Sequence, residues 1–191
     1  MALTLEWKDR IYHWREELPR HFYRSLDSVP LSGFVTLEQL APVEALACDF
    51  VPMPPGTAWG AKWEYGWFQG SFVLPEAAAG QRIVLVVDVG AESIVYVNGF
   101  AAGACDREHR EITLALDGVP GTRYDVLVEG YAGHGPRNSH AGPTPPDRET
   151  VPEPGPTQAV VGQTTFGVWQ EEVYQLWVDV ETLCQLRENL D

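Results

Sequence analysis

Asp106, Glu108 and His109 stand within the four residues Asp106-Arg107-Glu108-His109, inside the longer segment ESIVYVNGFAAGACDREHREITLAL (Glu92 to Leu116). An imidazole beside carboxylates is a donor set for zinc or another divalent ion. The same residue types at the end of a hairpin can instead bond to turn backbone. The nearest other histidines, His134 and His140, lie on a Pro-rich stretch, and no HxH, HExxH or HxxxH pairing occurs. The spacing favours a hydrogen-bonded turn, so no metal site is assigned and Asp106 and His109 are read as a polar cluster closing the hairpin.

Other reaction chemistry lacks a pattern. Glycoside hydrolysis needs two carboxyl groups at a defined separation, and 27 acidic residues offer too many pairs to discriminate. There is no G-x-S-x-G, and the glycines of GFAAGA lack the strand-to-helix context of a phosphate loop. No catalytic residue is assigned. The segment WGAKWEYGWF concentrates Trp59, Trp63, Trp67 and Phe68. Aromatic faces stack on the apolar CH groups of sugars, and they also fill cores. In a strand, Trp63, Tyr65 and Trp67 share one face. Core or interface packing is the favoured reading of the cluster, and Trp63 and Trp67 are the candidate carbohydrate contacts if it meets a sugar.

The elements that must position these residues are mostly strands. QRIVLVVDVG is a near-continuous apolar run that suits a strand buried on both faces. ESIVYVNGFAAGA is a hairpin, because Asn98-Gly99 tolerates the positive φ of a type I′ turn. GWFQGSFVLP, REITLAL and GTRYDVLVEGYA are strands, the last with Tyr124, Val126 and Val128 on one side; FVTLEQL and ALACDFVPM are further short strands. No helical pattern intervenes between Trp67 and Tyr131, which predicts a mainly β, antiparallel sandwich. Helices flank it. Ile11, Trp14, Leu18 and Phe22 predict one over about 9–26, kinked or split at Pro19. Trp169, Val173, Leu176, Trp177, Val180, Leu183 and Cys184 predict a long closing helix with an apolar stripe. The expected organisation is a helical segment at 1–29, a sandwich at 30–167 and a helix at 168–191. Within the sandwich, the Pro/Gly-rich loop 132–157 is either functional or a mobile excursion.

Composition excludes some partners. The formal net charge of −14 repels nucleic acid and anionic membranes. No run reaches the roughly 18 apolar residues of a membrane span. The three cysteines, Cys48, Cys105 and Cys184, are far apart and follow no zinc spacing, which fits a reducing, cytoplasmic compartment.

Taken in order, these motifs resemble those of α-mannosidases of glycoside hydrolase family 38, in its cytosolic/vacuolar and bacterial branch. The resemblance rests on W-G-x-x-W at Trp59, Gly60 and Trp63, on Trp67-Phe68, and on Pro75 ending that strand. It continues with Glu92 before V-Y-V-N-G at Asn98 and Gly99, and with D-x-x-H at Asp106 and His109. It implies a galactose-binding-like jelly roll placed before a (β/α) catalytic barrel that hydrolyses α-mannosides with retention. It further implies a divalent metal, usually zinc, held in that barrel near an H-x-H-x-D type motif. No such motif occurs here, so no cofactor and no catalytic residue is expected in this chain. The implied partner is the catalytic domain of the same polypeptide, with Asp106 and His109 structural or facing that domain. An exposed strip on the closing helix would drive self-association in its absence. A stand-alone carbohydrate-binding module is the alternative function.

Overall fold

The computed structural model describes residues 5–135 and 154–190, so most of the Pro-rich loop, including His140, lies outside the described residues. Helix α1 (Leu5–Glu17) opens the chain and passes into a 3-10 turn at Leu18–His21. Strands β1 (Tyr23–Ser28) and β2 (Ser32–Thr36) follow, then the single-turn helix α2 (Pro42–Ala45). Next come β3 (Val51–Pro52), β4 (Ala58–Trp59), β5 (Tyr65–Val73), β6 (Ile83–Val86), β7 (Glu92–Val97), β8 (Phe100–Cys105), β9 (Glu111–Ala115) and β10 (Arg123–Tyr131). Beyond residue 154 lie β11 (Ala159–Val160), β12 (Thr165–Trp169) and the closing helix α3 (Glu171–Leu190).

Two antiparallel sheets face each other. One runs β1-β12-β6-β9, the other β3-β2-β5-β10-β7-β8, and β4 pairs with β11 beside them. The period of two in the sequence becomes the two faces of each sheet. Tyr124, Val126 and Val128 of β10 point inward with Phe68 and Phe72 of β5 and Val95 of β7. They meet Ile83, Leu85, Ile112, Phe166 and Val168 from the four-stranded sheet. Phe72 stacks on Phe166 across the sandwich at 4.1 Å. Burying a side chain of this size contributes about 1.5–3 kcal/mol. The hairpin turns as its sequence demands: Asn98 has φ 51° and Gly99 φ 83°.

Three expected boundaries move. The opening helix ends at Glu17, since Pro19 cannot continue an α-helical ladder, and Tyr23–Ser28 is an edge strand on β12. A bulge between Ser25 and Asp27 breaks the alternation that would have marked it. The closing helix starts at Glu171; Val168 and Trp169 belong to β12, which is bonded on both sides. In ALACDFVPM only Val51 and Pro52 are strand. The preceding residues turn helical at Pro42, where the Glu44 carboxylate accepts the Ala41 N–H at 2.7 Å.

α1 and α3 run antiparallel on the outside of the sandwich. Arg15 bonds Glu181, with its Nη2 donating to Oε1 at 2.7 Å, and Trp177 Nε1 donates to the Arg15 carbonyl at 3.1 Å. Phe22 nests among Trp169, Tyr174 and Trp177, with ring centroids 5.3–5.7 Å apart. No helix among the described residues is long and apolar enough to cross a membrane.

Candidate functional site

The sequence candidates divide between turns and core. Asp106 Oδ1 accepts the backbone N–H groups of Glu108 (2.8 Å) and His109 (2.7 Å). His109 Nδ1 lies 3.1 Å from both carboxylate oxygens, and Asp106 N–H donates to the His109 carbonyl at 2.9 Å. One carboxylate thus takes two backbone N–H groups of the turn, residues 106–110, between β8 and β9. Backbone and side-chain bonds from His109 hold the Asp106 carboxyl down at about 2, and Asp106 raises the His109 imidazole. The His109 side chain is 82% exposed. Among the described residues no group of three or more His, Cys, Asp or Glu stands together as a metal site.

W-G-x-x-W is a turn that sends its two indoles apart. Gly60 has φ 92° and Trp63 φ 66°, and Glu64 Oε2 accepts the N–H of Gly60 (3.0 Å) and Ala61 (2.8 Å). Trp59 goes inward. Its ring lies over Gly66 and Gly130, which face each other across β5 and β10, and its Nε1 donates to the Val89 carbonyl at 2.8 Å. Trp63 stays on the surface, 47% exposed, edge-on to His134 at 5.6 Å. It precedes β5 and does not share a strand face with Tyr65 and Trp67. Trp67 is withdrawn from sugar contact by burial. It is 0% exposed beneath the 37–50 segment, in a small outer cluster with Ala45, Leu127, Phe34, Leu40, Phe50 and Tyr96. Its ring stacks on Tyr96.

The outer face of the six-stranded sheet carries a cleft, lined in part by the motif residues Glu92 and Asp106. It has a volume of about 550 Å³. Pairing across β5, β10 and β7 sets Tyr65, Tyr131 and Glu92 in one row, and Trp67, Glu129 and Ile94 in the next. Tyr131 packs against Tyr65 at 4.8 Å with 30° between the rings, and is itself 37% exposed. Ile94 is 43% exposed beside it. Burial raises the Glu129 carboxyl, whose side-chain bond is a long 3.5 Å contact from Tyr96 Oη. The inward set Tyr124, Val126, Val128 already implied that Glu129 and Tyr131 point outward. What sequence lacks is the strand order that brings Tyr65 and Glu92 to either side of them.

A jelly roll with these motifs on its turns is matched by the family model described as "Alpha-mannosidase, jelly roll domain", over residues 28–151. This chain belongs to that family. In this jelly roll domain the match begins on the last residue of β1 and carries β2 through β10. Two curated relatives are alpha-mannosidase 2C1 of Homo sapiens and of Mus musculus. The human protein is 26% identical over 179 residues, covering 90% of this chain and 16% of the relative. The mouse protein is 28% identical over 171 residues, covering 85% and 16%. The chain therefore spans about 16% of the length of each of these relatives. Among solved structures, Ruminococcus gnavus β-glucuronidase in complex with uronic deoxynojirimycin superposes with TM-score 0.53 at 15% identity. That likeness covers 78% of this chain and 29% of the other, and its complex with D-glucaro 1,5-lactone gives the same TM-score. At this identity the likeness shows the sandwich fold alone.

Proposed function

We propose that this chain is the non-catalytic jelly roll of a larger cytoplasmic α-mannosidase, seated against the catalytic domain of the same polypeptide. The enzyme would be metal-dependent and retaining, acting on α-mannosides. Its divalent metal, zinc by analogy with the family, would be held by the catalytic domain. The reading of an intracellular protein draws support from three free cysteines, one of them exposed.

The observation that carries the assembly role is the set of large apolar side chains that the helices leave exposed to solvent. On α1, Trp14 is 54% exposed. On α3, Leu176 (53%), Leu183 (66%) and Leu186 (53%) are exposed beside the seam that Trp177, Glu181 and Cys184 make with α1. Large exposed apolar stripes mark contact surfaces. Alpha-mannosidases of which this chain matches only a part supply the occupant.

The test is Trp14→Asp with Leu183→Asp in the full-length polypeptide. The expected result is lost or sharply reduced α-mannosidase activity and lowered thermal stability, while the isolated 191-residue chain carrying both changes keeps its circular dichroism and loses any self-association. Full-length enzyme with unchanged activity and midpoint would overturn the assembly role. The isolated chain should hydrolyse no α-mannoside; turnover by it would overturn the non-catalytic assignment.

A further inference from the structure

The cleft on the outer sheet face is separate from the helical stripes and calls for its own occupant. We propose that it binds a neutral pyranose ring, with Tyr131 as the stacking surface and Glu92 and Glu129 as acceptors for sugar hydroxyls. This assigns carbohydrate contact to residues other than Trp63 and Trp67, and it does not depend on the assembly reading.

The dimensions follow from the sheet. Adjacent strands are about 4.8 Å apart, and same-face residues along a strand are about 6.8 Å apart. Tyr131 therefore has Glu92 one strand away and Glu129 one step along its own strand. That is the footprint of a six-membered ring with its hydroxyls. β10 lies between β5 and β7. Tyr65 backs one face of Tyr131 from β5, which leaves the other toward β7, where Ile94 and Ala104 line an apolar floor. A pyranose presents CH groups to such a ring and O–H donors around its edge.

The acceptors are free to take those donors. Among the described residues Glu92 makes no ion pair, and Glu129 accepts only the long bond from Tyr96. A half-buried carboxylate with one weak partner gains more from new donors than a solvated one does. A cationic ligand is disfavoured by shape. Ammonium groups are recognised by cages of several ring faces, whereas here the two tyrosines back each other and expose a single face to the cleft.

The experiment is a titration of the 15N-labelled 191-residue chain with methyl α-mannopyranoside, methyl α-glucopyranoside and methyl β-galactopyranoside, followed by amide shifts. A single ring held by one stacking face and a few hydroxyl bonds gives a Kd on the order of millimolar. The expected result is saturable shifts at 92–94, 104–105 and 129–131 with at least one of the three sugars. Tyr131→Leu, which keeps apolar bulk without the aromatic plane, should weaken binding about tenfold, and Glu129→Gln about fivefold. Trp63→Ala should leave it unchanged. Absence of shifts with all three sugars, shifts centred elsewhere, full affinity in Tyr131→Leu, or tighter binding of methylguanidinium than of any sugar would each overturn the proposal.

Discussion

The slot that holds Trp59 makes a demanding test of how this sandwich is built. Gly66 and Gly130 face each other on β5 and β10, and the indole of Trp59, 3% exposed, lies over both. A Cβ at residue 130 would stand 3.1 Å from the Trp59 ring, closer than ordinary van der Waals contact. The ring is pinned by its bond to the Val89 carbonyl and cannot retreat. Gly130→Ala should therefore cost about 1–3 kcal/mol by overpacking. Trp59→Ala should cost about 3–5 kcal/mol, through lost burial and cavity. For a chain of this length that lowers the thermal midpoint by about 10 °C. With the ring gone the added methyl has room, and alanine in a strand is about 0.5–1 kcal/mol better than glycine. The double variant should then be no less stable than Trp59→Ala, a coupling of about 2 kcal/mol. Urea unfolding followed by far-UV circular dichroism measures all three corners. Effects that add to within about 0.5 kcal/mol would show that Gly130 is not there for the indole.

Two further outcomes concern titrating groups. Asp106→Ala should lower the thermal midpoint, because two turn N–H groups lose their acceptor. The Asp106 carboxyl is depressed to about 2, so its contribution is present above the ordinary carboxylate range and fades as pH falls toward 2. His109 is raised, so its share is present below its unfolded value of about 6.5 and fades as pH climbs through the raised one. The difference between parent and Asp106→Ala should thus be widest at mildly acidic pH; a parallel pair of midpoint curves from pH 4 to 9 would refute the coupling. Burial, with Glu111 and Asp106 nearby, pushes the Cys105 thiol up to about 11. At pH 8 iodoacetamide should modify exposed Cys48 well before Cys105, as read by mass spectrometry of the intact chain and its peptides; equal rates would mean the core opens at β8.

What could be read from the sequence was whatever local chemistry decides. Asn98-Gly99 dictates its own turn, and the period of two in β10 settles which residues face inward. The apolar run of β6 is buried as its composition demands, with Ile83, Val84 and Leu85 all at or below 1% exposure. Readings failed where a distant partner overrides local pattern. Tyr23–Ser28 continues a helical stripe on paper, yet pairing with β12 some 140 residues later makes it a strand. Trp67 looks like a surface aromatic beside Trp63 until the 37–50 segment folds over it. Strand order also decides the cleft, since Tyr65, Glu92 and Tyr131 are near one another only through the β5-β10-β7 sequence of strands.

The pairing of β1 with β12 sets how the molecule would yield to tension. Tyr23, at the start of β1, opposes Trp169, at the end of β12, and the helices on either side of this strand pair lie against each other as well. A pull applied through α1 and α3 in opposite directions loads that pair from one end. Its bonds would open one at a time, like a zipper, rather than all together in shear. The two helices would separate first and β1 would peel next, while the six-stranded sheet, with none of its strands adjoining either helix in sequence, would carry no load. Force passed along the polypeptide would therefore be absorbed at the edge of the four-stranded sheet, leaving the cleft on the opposite sheet undistorted.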